Sequence, residues 1–229
     1  MEFFFEILEY IGTIAFAVSG ALVAINHETD LAGIIFLSFV TAFGGGIIRD
    51  VLIGNILPAY FTLYGLVIVC LVTSVLVIVF AMLFRNKFIK EEKLLDKITN
   101  YFDALGIGAF AVSGSVICMD AGYTHPFVVI FMGTVSCIGG GMLRDIILGD
   151  IPFVLRKRIY MLACIAGSGI YYILNFLGAE FWISAMVGTL TTFGIRVCAT
   201  VFEWNLPKAI NFTKLRTETN EKSEENQND

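Results

Sequence analysis

Apolar residues run along this chain in blocks of about twenty, parted by short polar stretches. A helix that crosses a bilayer needs about 20 mostly apolar residues. Seven runs reach that length, at approximately 5–25, 31–53, 60–84, 101–119, 126–148, 159–177 and 181–201. The breaks carry turn chemistry: Asn26 to Asp30, Gly54 and Asn55 before Pro58, Asp120 to Gly122, and Gly149 and Asp150 before Pro152. The connection at 85–97 is longer and alternates in charge. After Pro207 the chain turns polar, and 217–229 is rich in Glu, Asn, Lys and Ser, which predicts a disordered tail. The pattern predicts an all-α integral membrane protein with seven transmembrane helices.

Composition agrees. Hydrophobic residues make up 57% of the 229 and charged residues 15%, with a mean hydropathy of +0.82. A soluble domain carries about a quarter charged residues, so a soluble protein is excluded. The net charge of −5 matters less than where the charges lie. With the N-terminus outside, all twelve lysines and arginines beyond the spans fall in the inner segments 85–97 and 149–158 and in the tail. The positive-inside bias therefore predicts an N-terminus outside and a C-terminus in the cytoplasm, with the protein in the cell (inner) membrane. The first six residues contain no basic group, so no cleaved signal peptide is expected.

Several features change the picture little. The five cysteines are isolated within apolar runs and read as small buried hydrophobes. His27 and His125 lie in loops at opposite faces, so a shared metal site is not expected. Trp182 and Trp204 sit near the ends of the last span, as interface anchors do. Arg196, near the inner end of that span, is expected to snorkel. Arg156, Lys157 and Arg158 could touch anionic lipid heads, although charge bias alone accounts for them. No nucleophile–base or metal-ligand spacing points to an enzyme, a cofactor or a nucleic-acid partner.

The strongest signal is an internal repeat. The hexapeptide Ala15-Phe16-Ala17-Val18-Ser19-Gly20 recurs unchanged as Ala109-Phe110-Ala111-Val112-Ser113-Gly114. Gly44-Gly45-Gly46-Ile47-Ile48-Arg49-Asp50 returns at nearly the same spacing as Gly139-Gly140-Gly141-Met142-Leu143-Arg144-Asp145, and Glu9 corresponds to Asp103. Each copy holds three spans, an odd number, so the second enters the membrane inverted. Inverted repeats with interrupted helices recur in transport folds, with the site near the midplane between the copies. The chain divides into a first three-helix repeat with its charged loop (1–100), an inverted second repeat (101–177), a seventh helix (178–206) and a tail (207–229).

The repeated residues are also the candidate chemistry. Three successive glycines suit a helix interior badly, at about 0.8–1 kcal/mol each against alanine. If the second and fifth spans loosen there, carbonyls from Thr41 to Phe43 and from Ser136 to Ile138 would point at the midplane. A helix C-terminal end carries about half a negative charge, which suits a partly dehydrated cation. The alternative is close packing of helix backbones. Charges at span depth normally face a bundle interior or water. Neighbours on a helix do not face each other, so Arg49 is expected to reach toward Glu9 and Arg144 toward Asp103, as an ion pair near each mouth. Those pairs could bias a gate or simply hold helices together. Ser19 and Ser113 could replace part of an ion's hydration, or form a small-residue packing face. Asp50 and Asp145 could titrate in a coupled transporter or stand as water-facing acids beside a pore.

With the paired AFAVSG and GGGxxRDxxxG motifs in a three-plus-three-plus-one chain, residues 8 to 202 resemble the trimeric intracellular cation (TRIC) channels, in particular their prokaryotic homologues. The resemblance implies a homotrimer in membrane lipid, each protomer holding its own potassium- and sodium-conducting pore between the repeats. It places the glycine-kinked second and fifth helices beside that pore. Animal members bind an inositol lipid through a lysine-containing motif that has no clear match here. Prokaryotic relatives have also been catalogued as glycine transporters. Two function classes follow: a monovalent cation channel, favoured here, and a secondary transporter for glycine or a similar small zwitterion, to which paired Arg and Asp could offer a site.

Overall fold

The computed structural model describes residues 2–55, 64–84, 92–156, 159–202 and 204. Segments 85–91 and 157–158 and the tail 205–229, on which much of the charge asymmetry and the expected disorder rest, lie outside the described residues. Among the described residues, seven helices are long and apolar enough to cross a membrane. They are α1 (Glu2–Asn26), α2 (Leu31–Ile53), α3 (Tyr64–Leu83), α4 (Glu92–Asp120), α5 (Pro126–Ile147), α6 (Ile159–Phe176) and α7 (Phe181–Val201), with a single helical turn at Phe153–Arg156.

Local chemistry sets the helix ends. Asp30 caps α2, its carboxylate accepting from the Gly33 amide at 2.7 Å. Gly54 stops the same helix in the left-handed region (φ 92°), where a side chain would be strained. Pro126 opens α5 at a position whose N–H would have no partner anyway.

The sequence pattern places the start of the fourth span at about 101, but α4 begins at Glu92. Its first turns are amphipathic, and Leu95, Asp96, Thr99 and Asn100 line a polar cavity. Hydropathy alone misses a helical extension whose polar face is wanted by water. The boundary at 100/101 therefore falls inside a continuous helix.

The repeat is visible in the packing. Helix α1 packs on α4, and α2 on α5, so equivalent helices meet across a pseudo-two-fold axis. Equivalent residues mark that axis. Phe16 and Phe110 touch with ring centroids 5.3 Å apart, and each lies over the other copy's glycine, Phe16 on Gly106 and Phe110 on Gly12. Within each copy the first helix packs on the second and third, and the second on the third. Helix α7 lies outside this symmetry and packs on α6 and α4.

Small residues carry the inner faces, as expected where backbones must approach in lipid: Ala15, Ala17, Ala21, Ala24, Ala109 and Ala111 are buried. Helix α3 presents Ile68, Leu71, Val72, Val75, Leu76, Val79 and Phe80 outward. An apolar face that long suits lipid or another protein surface, and not water.

Candidate functional site: a charged vestibule below a glycine crossing

Both glycine triplets are buried, and both helices run through them without a break. The expected loosening, with carbonyls freed at Thr41 and Ser136, is absent, and the reason is packing. A Cβ on Gly45 would land on the Ser136 carbonyl oxygen, and one on Gly140 would land on that of Thr41. A Cβ on Gly139 would stand 2.8 Å from the Gly45 Cα. The triplets let α2 and α5 cross backbone on backbone, the geometry in which Cα–H···O contacts form. The hydroxyl of Thr41 turns back to its own helix, donating to Leu37 O at 2.6 Å.

The Arg–Asp pairs lie on either side of this crossing. Arg49 Nε donates to Asp50 Oδ1 at 2.9 Å, and Nη2 stands 2.8 Å from the same oxygen. Arg144 and Asp145 repeat the arrangement at 2.9 and 2.8 Å. The expectation that neighbours would not pair is therefore wrong. Cβ positions diverge between adjacent helical residues, but an arginine stem is long enough to fold back and present Nε sideways. Each guanidinium then reaches a serine of the other repeat: Arg49 Nη1 donates to Ser136 Oγ at 3.0 Å, and Arg144 Nη1 to Ser19 Oγ at 3.2 Å. Asp145 is also held by the Phe153 amide at 2.7 Å, which fixes the helical turn after α5.

Glu9 and Asp103 are the acids that correspond by repeat. Glu9 accepts a hydrogen bond from Ser113. Asp103 lies in the field of both Arg144 and Arg196, but the guanidinium within ion-pair range is that of Arg196, Nη2 to Oδ2 at 3.8 Å. The expected Arg144–Asp103 pair is thus replaced by one from the seventh helix. Arg196 does not snorkel either. It is 2% exposed and stacks over Tyr160, 4.4 Å from the ring centroid, with Phe153 at 5.7 Å. Sequence reasoning passed over Arg196 because a charge near a span end looks the same whether its helix face meets lipid or protein.

The two sides of the crossing differ in access. Arg49 and Asp50 are fully buried. Arg144 and Asp145 instead line a cavity of about 360 Å³ that opens at the face carrying the α1–α2 turn. Ser19 and Arg144 lie at its depth, and Asp96, Asp103, Asp145 and Asp150 set four carboxylates against Arg144 and His27. At its mouth His27 joins two segments: Nδ1 is 2.9 Å from Val23 O and Nε2 is 3.1 Å from Asp150 Oδ2. Neither triplet lines this cavity. The arrangement is a vestibule with an acidic mouth and with Ser19 and Arg144 at its depth.

Comparison with known proteins meets this geometry. A family described as Glycine transporter matches residues 6–82 and 100–175, one stretch per repeat. The membrane protein YvgT of Bacillus subtilis, of the UPF0126 group, is 36% identical over 88% of this chain and 95% of its own. A TRIC trimeric intracellular cation channel orthologue from Rhodobacter sphaeroides superposes with a TM-score of 0.78 at 30% identity, over 87% of this chain and 98% of its own. A prokaryotic TRIC channel in 0.5 M KCl superposes with a TM-score of 0.80 at 29% identity, over 90% of this chain and 100% of its own. This chain is an integral membrane protein that belongs to the UPF0126 and Glycine transporter family and has the fold of the prokaryotic TRIC channels.

Proposed function

We propose that this protein is a cation channel that conducts potassium and sodium through a pore in each protomer, between the inverted repeats. The observation that carries the proposal is the vestibule: four carboxylates against one arginine and one histidine line a cavity that reaches the buried centre. Low-dielectric walls lined by one sign of charge focus the field and concentrate the opposite ion. The pathway continues past Ser19 to the crossing of α2 and α5, which is the closed constriction. Opening separates two glycine surfaces over which Leu143 and Ile48 pack from the opposite helices. Ser136, Ser113, Glu9, Arg49 and Asp50 then form the far half of the route. The Lys and Arg placement favours a vestibule on the cytoplasmic side. The neighbouring channel described as trimeric supports a homotrimer, with lipid against the outer face of α3.

A second reading, a glycine transporter, is favoured by the description of the family. A free guanidinium edge is a favoured partner for a substrate carboxylate. Arg144 already gives Nε and Nη2 to Asp145 and Nη1 to Ser19, which weighs against it.

Flux assays on purified protein in liposomes separate the two. The channel reading predicts downhill potassium efflux that does not saturate at low millimolar concentration and needs no second gradient. Saturable glycine uptake driven by a sodium or proton gradient, without potassium flux, would replace it.

A further inference from the structure

Among the buried charged groups of the described residues, Arg196 is the one that the inverted repeat does not account for. Helix α7 has no counterpart in the other half, so one side of the molecule gains an arginine that the opposite side lacks. Its target is Asp103, which belongs to the vestibule wall. The pairing is loose. The ions stand 3.8 Å apart, neither Asp103 oxygen has a hydrogen-bond partner, and Nε and Nη2 of Arg196 have none. Both residues are almost fully buried, Asp103 at 4% and Arg196 at 2% exposure.

A buried ion pair that served only to join two helices would be expected to close its hydrogen bonds, since unmade ones are costly in a low dielectric. Here the guanidinium is instead held by aromatic faces, Tyr160 and Phe153, a cradle that keeps the charge in place without using up the carboxylate. Arg196 is not itself among the residues that line the vestibule, and it stands behind Asp103. The carboxylate therefore has a loosely paired, immobile cation on one side and the vestibule on the other, with both of its oxygens turned into the wall.

We infer that Arg196 is a tethered counter-cation that competes with the permeant ion for Asp103, and so sets how strongly the vestibule holds a monovalent cation. The inference rests on the channel reading. With the cavity empty of cations, Arg196 balances the carboxylate and draws it into the wall. An arriving potassium ion takes over part of that balance, and the guanidinium relaxes onto the Tyr160 ring. No bond is made or broken, and only the partner of one carboxylate changes. Arg196 acts through Asp103, so it is a positioning residue.

The test is unitary conductance against KCl concentration for the purified wild-type protein, R196Q, R196K and D103N in planar bilayers. R196Q removes a unit charge from beside the site and is expected to lower the half-saturating potassium concentration on the order of tenfold. R196K, which keeps the charge, stays near wild type. D103N raises the half-saturating concentration. A merely structural arginine would change the yield or melting temperature of folded protein and leave half-saturation unmoved. If R196Q does not fold, potassium-dependent thermal stabilisation of wild type and D103N reads the same site. Stabilisation by KCl over N-methylglucamine chloride is expected in wild type and lost in D103N. A wild type that conducts while R196Q keeps its half-saturation within about twofold overturns the inference, as does a D103N protein stabilised like wild type. A wild type without potassium currents removes the channel reading itself.

Discussion

Gly45 of α2 and Gly140 of α5 occupy the same place in the two copies of the repeat, and each lies against the carbonyl of the other helix. A Cβ on Gly45 would meet Ser136 O, and one on Gly140 would meet Thr41 O. Neither carbonyl can retreat without moving its helix. G45A and G140A are expected to destabilise the folded protein by about 1–3 kcal/mol or more, read as loss of melting temperature and of monodisperse protein. G141A is the control, because its nearest foreign atom would be the Tyr160 hydroxyl at 3.6 Å. It should melt within a few degrees of wild type.

Arg49 and Asp50 form a pair with side-chain exposures of 0% and 1%. Removing one partner leaves a charge in a region that water does not reach, at a cost of about 3–5 kcal/mol. R49Q and D50N are each expected to melt well below wild type. The double variant R49Q/D50N should recover part of the loss, since no net charge is stranded. Additive losses in a double-mutant cycle would contradict a direct pair.

Arg144 makes the same pair on the vestibule side, where water has access. R144Q should therefore fold more readily than R49Q. It removes the one arginine among the lining residues and is expected to raise unitary potassium conductance by about two- to fivefold at low salt. Screening should shrink that gain at high salt. Wild-type currents from folded R144Q and R49Q proteins at every salt concentration would reduce both pairs to a structural role.

Much of this was legible in the chain. Span count and the inverted repeat follow from hydropathy and from the two recurring motifs. What stayed hidden depends on which surface each helix face meets. The glycine penalty that predicts a break is measured for helices in water. At the α2–α5 crossing the same glycines permit a contact that any side chain would block. Arg49 and Asp50 pair because an arginine stem outreaches the divergence of adjacent Cβ positions. Arg196 looks like an interface residue until α7 is docked on α4 and α6, and only then does its ring-lined cradle exist.

The central claim is that the acidic vestibule feeds a cation-selective pore. Reversal potential in a planar bilayer under a tenfold KCl gradient tests it most directly. Purified wild-type protein should give unitary currents that reverse close to the potassium equilibrium potential. Currents that reverse near the chloride potential, or a bilayer that stays silent while the same protein accumulates glycine in vesicles, would contradict it.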